Sequence, residues 1–195
     1  MTEAERQEEA RAQIVLLNGV GSAGKSSIAR ALQGAATTPF LHVQMDGFLE
    51  MLPARLANHP DTFSFTLLEK DGPPEVAIAG GPLGTQLLRG MRASVRAMAA
   101  EGLNLIVDDV MMGRTDPALA EYQRLLSGFA VHTVGVFASL ETLERRETAR
   151  GDRMIGLARW QYDRVHDGMR YDLVVHSDEP TPDAIARQII ERFGL

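Results

Sequence analysis

The chain has 195 residues, no cysteine, a hydrophobic fraction of 45% and a formal net charge of -6. This length and composition suit a globular domain with a sizeable core, and the absence of cysteine excludes disulfides, thiolate catalysis and zinc sites built on cysteine. The negative charge argues against a general binder of nucleic acid or of anionic membranes, because both depend on positive charge, and the apolar runs are too short to cross a bilayer.

A charged leader, residues 1–12, opens the chain and lacks the apolar segment of a secretory signal, so a soluble cytoplasmic protein is expected. Residues 13–195 are predicted to form a single domain. Five short segments predict buried strands, the first of them a continuous apolar run; in chain order they are 14–17, 41–45, 103–107, 131–137 and 171–176. Helices are predicted to alternate with them; they start near 26, 83, 117, 140 and 182. The Gly- and Pro-rich stretch 59–84 is predicted to form loops and one small hairpin.

Buried strands that alternate with helices predict an α/β fold, with a five-stranded parallel sheet covered by helices on both faces. Ligands bind such sheets at the carboxyl ends of the strands. The polar residues that end the strands are therefore expected to line one site. They are Asn18-Gly19, Asp46, Asp108-Asp109, Ala138-Ser139 and His176-Ser177.

The segment after the first strand matches the phosphate-loop pattern G-x-x-x-x-G-K-[ST] and leads directly into a helix. Its glycines let successive backbone N–H groups turn inward, and the helix adds its positive end. Lys25 is expected to reach the β- and γ-phosphates of ATP, and Ser26 to ligate Mg²⁺, so ATP and Mg²⁺ are the predicted cofactors. The predicted nucleotide-binding residues of this loop are Gly19, Val20, Gly21, Ser22, Ala23, Gly24, Lys25, Ser26 and Ser27.

Two adjacent carboxylates, Asp108 and Asp109, follow the third predicted strand. Neighbouring side chains in a strand point in opposite directions, so the two cannot both face one metal ion. Asp108 is assigned to the magnesium site with Ser26, and Asp109 to the substrate side. A purely structural role, as a cap of a loop or helix, stays open for either one.

Asp46 ends the second predicted strand and is expected to lie across the phosphate site from Lys25. A carboxylate there can accept the proton of an attacking hydroxyl, as a general base; the alternative is an ordinary Asp-Gly turn followed by a loop. Apolar side chains after the strand ends can supply an adaptable pocket. The predicted substrate-binding residues are Asp46, Phe48, Met51, Asp109 and Met111.

An Arg-rich segment, "ERRETARGDR", follows the fourth predicted strand. If it is helical, Arg146, Arg150 and Arg153 share one face. Phosphoryl transfer needs positive charge over the migrating group, which favours a mobile lid over about 146–168, with glycine hinges. The alternative is a solvated helix with Glu–Arg pairs. The five histidines show no metal-ligand spacing and are interpreted as ordinary residues.

Together these motifs resemble the chloramphenicol 3-O-phosphotransferase-like family of P-loop kinases. The resemblance rests on "NGVGSAGKSS", "VQMDGF", "AGGPLG" before a long helix, "LIVDDV" and "RRETARGDR". It implies ATP-dependent phosphorylation of a small-molecule hydroxyl, which in the family is the primary hydroxyl of chloramphenicol and gives antibiotic resistance. By position it implies that Lys25 and Ser26 hold phosphates and Mg²⁺, that Asp46 is the base, and that the lid cations are Arg150 and Arg153. Arg146 is assigned to the nucleotide.

One departure from the family is Gly47, where members usually carry a side chain, often Ser; this position borders the expected acceptor pocket. The leading hypothesis is a monomeric or homodimeric antibiotic phosphotransferase, with a small-molecule partner and no nucleic acid or membrane. Two alternatives stay open. One is a small-metabolite kinase of the sugar-acid or nucleoside type, and the other is a non-catalytic, nucleotide-binding regulatory module.

Overall fold

A computed structural model describes residues 12–69, 71–151 and 154–195. The described strands are β1 (Gln13–Asn18), β2 (Phe40–Gln44), β3 (Phe63–Leu68), β4 (Glu75–Gly80), β5 (Asn104–Asp109), β6 (Ala130–Phe137) and β7 (Leu173–His176). Five of them form a parallel sheet in the order β2-β5-β1-β6-β7. This confirms the predicted five-stranded parallel sheet, and the strand bounds differ from the predicted ones by one or two residues.

The described helices are α1 (Lys25–Ala35), α2 (Met45–Leu49), α3 (Pro82–Ala100), α4 (Pro117–Leu125), α5 (Leu140–Arg150), α6 (Leu157–Tyr162) and α7 (Pro182–Phe193). Several helices begin at a residue whose side chain caps them. The Asp116 side chain accepts the Ala118 N–H, and the Thr181 side chain accepts the Ala184 N–H. Proline follows each of these two caps as the first helical residue. Among the described helices, none has both the length and the apolar character that a membrane span requires.

The central strands are buried on both faces, so the core consists of two layers. Helices α1 and α7 cover one face, where Ile28 and Ile185 are each 1% exposed. Helices α3 and α4 cover the other face with Met91, Val95 and Tyr122. The carboxyl ends of the parallel strands therefore meet at one edge of the sheet, as the sequence predicts for the site.

A separate antiparallel hairpin, formed by β3 and β4, occupies the stretch that was predicted to hold loops and one small hairpin. It is tied to the start of α6, because the Val76 N–H donates to the Gly156 carbonyl at 3.0 Å. The hairpin thus stands beside the carboxyl edge of the main sheet as one wall of the site.

One local prediction needs correction. The segment after β2 is a helix rather than a loop: Met45–Leu49 forms α2, with Asp46 in its first turn. Helix α5 ends at Arg150, because Gly151 takes a left-handed conformation with φ 68°. Of the predicted face of Arg146, Arg150 and Arg153, the structure describes the first two; Arg153 lies outside the described residues, as do residues 1–11 of the predicted leader.

Candidate active site

The phosphate loop connects β1 to α1 and folds closely on the neighbouring strand. A Cβ at Gly19 would lie 2.5 Å from the Val136 carbonyl oxygen, so only glycine fits there. Gly24, the N-cap of α1, has φ 92°. The Lys25 ammonium, buried in the loop, donates to the carbonyls of Gly19 at 2.9 Å and Val20 at 3.3 Å. The loop backbone therefore folds around the Lys25 side chain.

Ser26 and Asp108, the two predicted magnesium residues, are in direct contact. The Ser26 hydroxyl donates to Asp108 Oδ2 at 2.6 Å, and the Lys25 ammonium lies 3.7 Å from Asp108 Oδ1. Burial alone would raise the pKa of Asp108, but the Lys25 charge and the contacts from His42 and Ser26 outweigh it, so this pKa lies below its usual range. Asp108 is thus held as a carboxylate.

Oxygen donors of this kind fit Mg²⁺, which prefers carboxylate, hydroxyl, phosphate and water ligands. Within the described ranges, no three His, Cys, Asp or Glu side chains converge in a way that could hold a metal ion alone. A magnesium ion at Ser26 and Asp108 would therefore be completed by phosphate oxygens and water, which is the usual arrangement for a nucleotide-bound magnesium ion.

His42, which the sequence analysis interpreted as an ordinary residue, stands next to this pair. Its ring is buried in β2, and Nε2 lies 3.6 Å from Asp108 Oδ2. The other ring nitrogen, Nδ1, lies 2.9 Å from Gln44 Nε2. His42 is thus near Oδ2 of Asp108, whereas Lys25 is near Oδ1.

A polar cavity of about 370 Å³, here called the phosphate cavity, opens in front of the loop. The predicted site residues that line it include Lys25, Ser26, Asp46 and Asp108. Arg150, at the last turn of α5, lines it as well. The structure thus brings together, in one space, the phosphate loop, the predicted metal carboxylate, the predicted base and one of the predicted lid cations.

A second cavity, of about 400 Å³, lies along the outer side of the loop and reaches the segment after β7. Arg146 crosses it and donates to the Ser177 hydroxyl at 3.1 Å and to the Ser177 carbonyl. The Ser177 hydroxyl in turn donates to the Ala23 carbonyl at 2.7 Å. Arg146, which the sequence analysis assigns to the nucleotide, thus lines a cavity beside the phosphate loop.

Asp109 points to the other side of β5, as strand alternation requires. Its Oδ1 accepts the Val110 N–H at 2.7 Å and its Oδ2 accepts the Tyr122 hydroxyl at 2.8 Å. Burial raises the pKa of Asp109, although both hydrogen bonds oppose the rise. Asp109 is 2% exposed and forms part of the wall of a third cavity.

This third cavity, here called the acceptor cavity, has a volume of about 370 Å³ and lies between α2, the β3–β4 hairpin, α3 and α6. Its walls are largely apolar, with a few polar groups. The apolar residues include Met45, Leu49, Phe63, Ile78, Leu88, Met112 and Trp160, and the polar residues are Thr85, Arg92, Asp109, Asp116 and Gln161. Met45 and Val110 line both this cavity and the phosphate cavity, so the two spaces adjoin.

Comparison with known proteins matches this architecture to one family. The family model of chloramphenicol phosphotransferase-like proteins covers residues 12–194. The chain belongs to this family. A curated relative in Mycobacterium tuberculosis (strain H37Rv), named "Putative O-phosphotransferase Rv2636", is 31% identical over 185 residues, which are 92% of this chain and 81% of the relative.

Solved structures share the fold of this phosphotransferase-like chain at low sequence identity. The APS kinase CysC of M. tuberculosis, solved with AMPPNP and APS, aligns with a TM-score of 0.65 at 15% identity, over 95% of this chain and 99% of that one. A gluconokinase from Sinorhizobium meliloti aligns with a TM-score of 0.62 at 17% identity, over 94% and 92% of the two chains. The fold is that of P-loop kinases, and the family membership makes the chain a P-loop phosphotransferase.

Not every predicted substrate residue of this phosphotransferase lines the acceptor cavity. Met111 is 1% exposed in the core, because its N–H donates to Asn18 Oδ1 at 2.7 Å and turns it inward. Its neighbour Met112 lines the cavity instead. Phe48 packs against the core from α2, and Met51 is 67% exposed. The contact of these residues with a substrate stays a prediction.

Helix α5 contains the residue that the sequence reasoning most clearly missed. Glu147 is 2% exposed, and its carboxylate accepts the N–H groups of Gly156 at 2.7 Å and Ala158 at 2.8 Å. Glu144, by contrast, pairs with Arg159 near the surface at 2.5 Å. Glu147 thus caps α6 from α5, and the mobility of a lid over 146–168 stays a prediction.

Proposed function

We propose that this phosphotransferase transfers the γ-phosphoryl group of ATP to a hydroxyl of a small molecule that occupies the acceptor cavity. The observation that carries the proposal is the junction of the two cavities at Met45 and Val110. A hydroxyl that enters from the apolar side reaches the phosphate side next to α2, which carries Asp46. Phosphate donor and alcohol can therefore meet without water between them.

The proposed roles follow from the groups that line the phosphate cavity. Asp46 accepts the proton of the alcohol while the alcohol oxygen bonds to the γ-phosphorus and the bond to the bridging oxygen of ADP breaks. Lys25 and Arg150 supply positive charge over the transferred group, and Arg153 is a further candidate for this role. Ser26 and Asp108 would hold Mg²⁺, which neutralises the phosphate charge when it is bound.

The acceptor cavity supports a neutral acceptor with an apolar body, such as chloramphenicol or a similar antibiotic. The apolar walls reward the burial of an apolar surface. Among the described residues that line the cavity, Arg92 is the one cation, and it is already paired with Glu121, while Asp109 and Asp116 add carboxyl groups. A carboxylate on the acceptor would therefore meet the carboxyl groups of Asp109 and Asp116 and no unpaired cation among the described wall residues, which disfavours sugar acids.

The test is a phosphorylation assay with ATP and Mg²⁺ across chloramphenicol, gluconate and adenosine, read by mass spectrometry as the gain of one phosphoryl group. We expect turnover of chloramphenicol or a related neutral alcohol, and background signal with gluconate. Preferred turnover of gluconate or adenosine would assign the chain to the metabolite kinases. Tight ATP binding without transfer to any alcohol of a broad panel would support the regulatory module and refute the proposal.

A further inference from the structure

Gln161 lies between the phosphate loop and the acceptor cavity. Its Oε1 accepts the backbone N–H of Gly21 at 2.8 Å, across 140 residues of sequence. Gly21 is the third residue of the phosphate-loop motif, and Gln161 is 6% exposed on α6. Because a backbone N–H can only donate, this contact fixes which end of the side-chain amide faces the loop.

The other end of the same amide is left for the acceptor cavity. Gln161 lines that cavity, and its Nε2 makes no hydrogen bond within the part of the chain that the structure describes. This nitrogen is accessible from the cavity, so an oxygen of a bound molecule can reach it. The two carboxyl groups on the cavity wall, those of Asp109 and Asp116, accept hydrogen bonds from other residues.

Helix α6 holds Gln161 firmly in this position. The buried Glu147 carboxylate binds the two N–H groups at the start of the helix, those of Gly156 and Ala158. The Gly156 carbonyl also accepts the Val76 N–H of the hairpin. A polar group supported in this way is preorganised for a ligand and does not have to be ordered when the ligand binds.

We propose that Gln161 Nε2 donates a hydrogen bond to an oxygen of the acceptor, while Oε1 holds Gly21 of the phosphate loop. One amide then orients the alcohol and the phosphate loop toward each other. The acceptor must accordingly carry a hydroxyl or carbonyl oxygen on the part of the molecule that enters next to α6. The inference rests on the proposed function, since it assumes that the acceptor cavity holds the alcohol.

Two substitutions separate the two ends of the amide. Gln161→Glu keeps a carboxylate oxygen for the Gly21 N–H but removes the donor, and Gln161→Met removes both groups with little change in size. Gln123→Met is the matched control, because Gln123 is exposed on α4 and lines an open groove outside both cavities. The probe is chloramphenicol or, if it gives background only, the alcohol of the panel that wild type turns over best.

Steady-state KM for the acceptor and the Kd of AMPPNP are measured for all variants. We expect both Gln161 variants to raise the acceptor KM about tenfold, the worth of one neutral hydrogen bond, with Gln123→Met unchanged. A purely structural role predicts a wild-type acceptor KM for Gln161→Glu, and that result overturns the inference. If Gln161→Met does not fold, Gln161→Glu decides alone.

Failure of this inference is distinguishable from failure of the proposed function. If wild type transfers phosphate but Gln161→Glu has the wild-type acceptor KM, only the role of Gln161 is refuted. If wild type transfers phosphate to no alcohol in the panel, the proposed function is refuted and the inference falls with it.

Discussion

Glu147→Ala is the substitution whose cost the structure defines most sharply. The Glu147 side chain sits 2% exposed between α5 and α6, and its carboxylate is the hydrogen-bond acceptor for the Gly156 and Ala158 N–H groups. Removal of the carboxylate leaves two backbone donors at the start of α6 without this partner, in a place that excludes water.

The magnitude follows from these two bonds. A hydrogen bond to a charged group contributes about 1.5–3 kcal/mol, and a buried donor left unmade costs a similar amount. Two such bonds give an expected loss of about 3–5 kcal/mol in the free energy of unfolding. For a chain of this size that corresponds to a decrease in Tm of roughly 10 °C.

Urea unfolding followed by circular dichroism measures the loss directly. Glu144→Gln is the control on the same helix, because Glu144 forms an ion pair with Arg159 in which both side chains are about one-third exposed; such a pair contributes about 1 kcal/mol or less. A loss below about 1 kcal/mol for Glu147→Ala, equal to that of the control, would refute the argument that α6 is capped from α5.

Three further outcomes are expected. Asp46→Asn should lower the rate of phosphoryl transfer by about 10²–10⁴, the usual contribution of a positioned base, and leave the Kd of AMPPNP unchanged. A kcat near that of wild type would exclude Asp46 as the base. Asp71→Asn, at an exposed position, is the control. Gly84→Ala should lower the free energy of unfolding by at least about 1–3 kcal/mol, because its Cβ would lie 2.4 Å from the Thr62 carbonyl oxygen. Gly90→Ala on the same helix has open space around it and should raise the free energy of unfolding by up to about 1 kcal/mol. Equal melting temperatures of the two variants would contradict this. Burial lowers the pKa of His166 from 6.5 to about 4, so between these values the unfolded chain binds a proton that the folded chain does not, and the free energy of unfolding falls as pH falls. Partial exposure of His166 reduces this loss to about 1–2 kcal/mol. The free energy of unfolding of wild type minus that of His166→Asn, measured by urea unfolding, should therefore be smaller at pH 4 than at pH 7 by that amount. A difference that is the same at both pH values would refute this.

The sheet was predictable from sequence because its central strands β1 and β5 are short apolar runs between polar residues. Buried parallel strands need apolar side chains on both faces, and runs such as Ile14–Leu17 have no other stable place in a folded chain. The cap at Thr181 was equally readable, since its side chain accepts an N–H only three residues away. The helix at Met45–Leu49 was not, because an Asp-Gly pair after a strand favours a turn by local preference alone.

The site divides along the same line. The phosphate loop is a local motif, so Lys25 and Ser26 could be identified without any coordinates. Contacts that depend on register and tertiary packing could not be identified in this way. His42 reaches Asp108 only because β2 lies beside β5, and Glu147 carries no signal that separates it from a solvated glutamate such as Glu144.

The acceptor cavity shows why substrate choice is harder to derive than the chemistry. Its wall comes from α2, α3, α6 and the β3–β4 hairpin, and no short motif spans them. The phosphate cavity is lined by residues of the phosphate-loop motif, so its side chains tolerate little change. Hairpin residues such as Phe63 and Ile78 line the acceptor cavity and not the phosphate cavity. Substitutions there can alter which alcohol fits while Lys25, Ser26 and Asp108 keep their contacts. Acceptor identity within this fold should therefore be encoded in the hairpin and α6, and an exchange of hairpin residues should shift the acceptor KM and leave nucleotide binding unchanged.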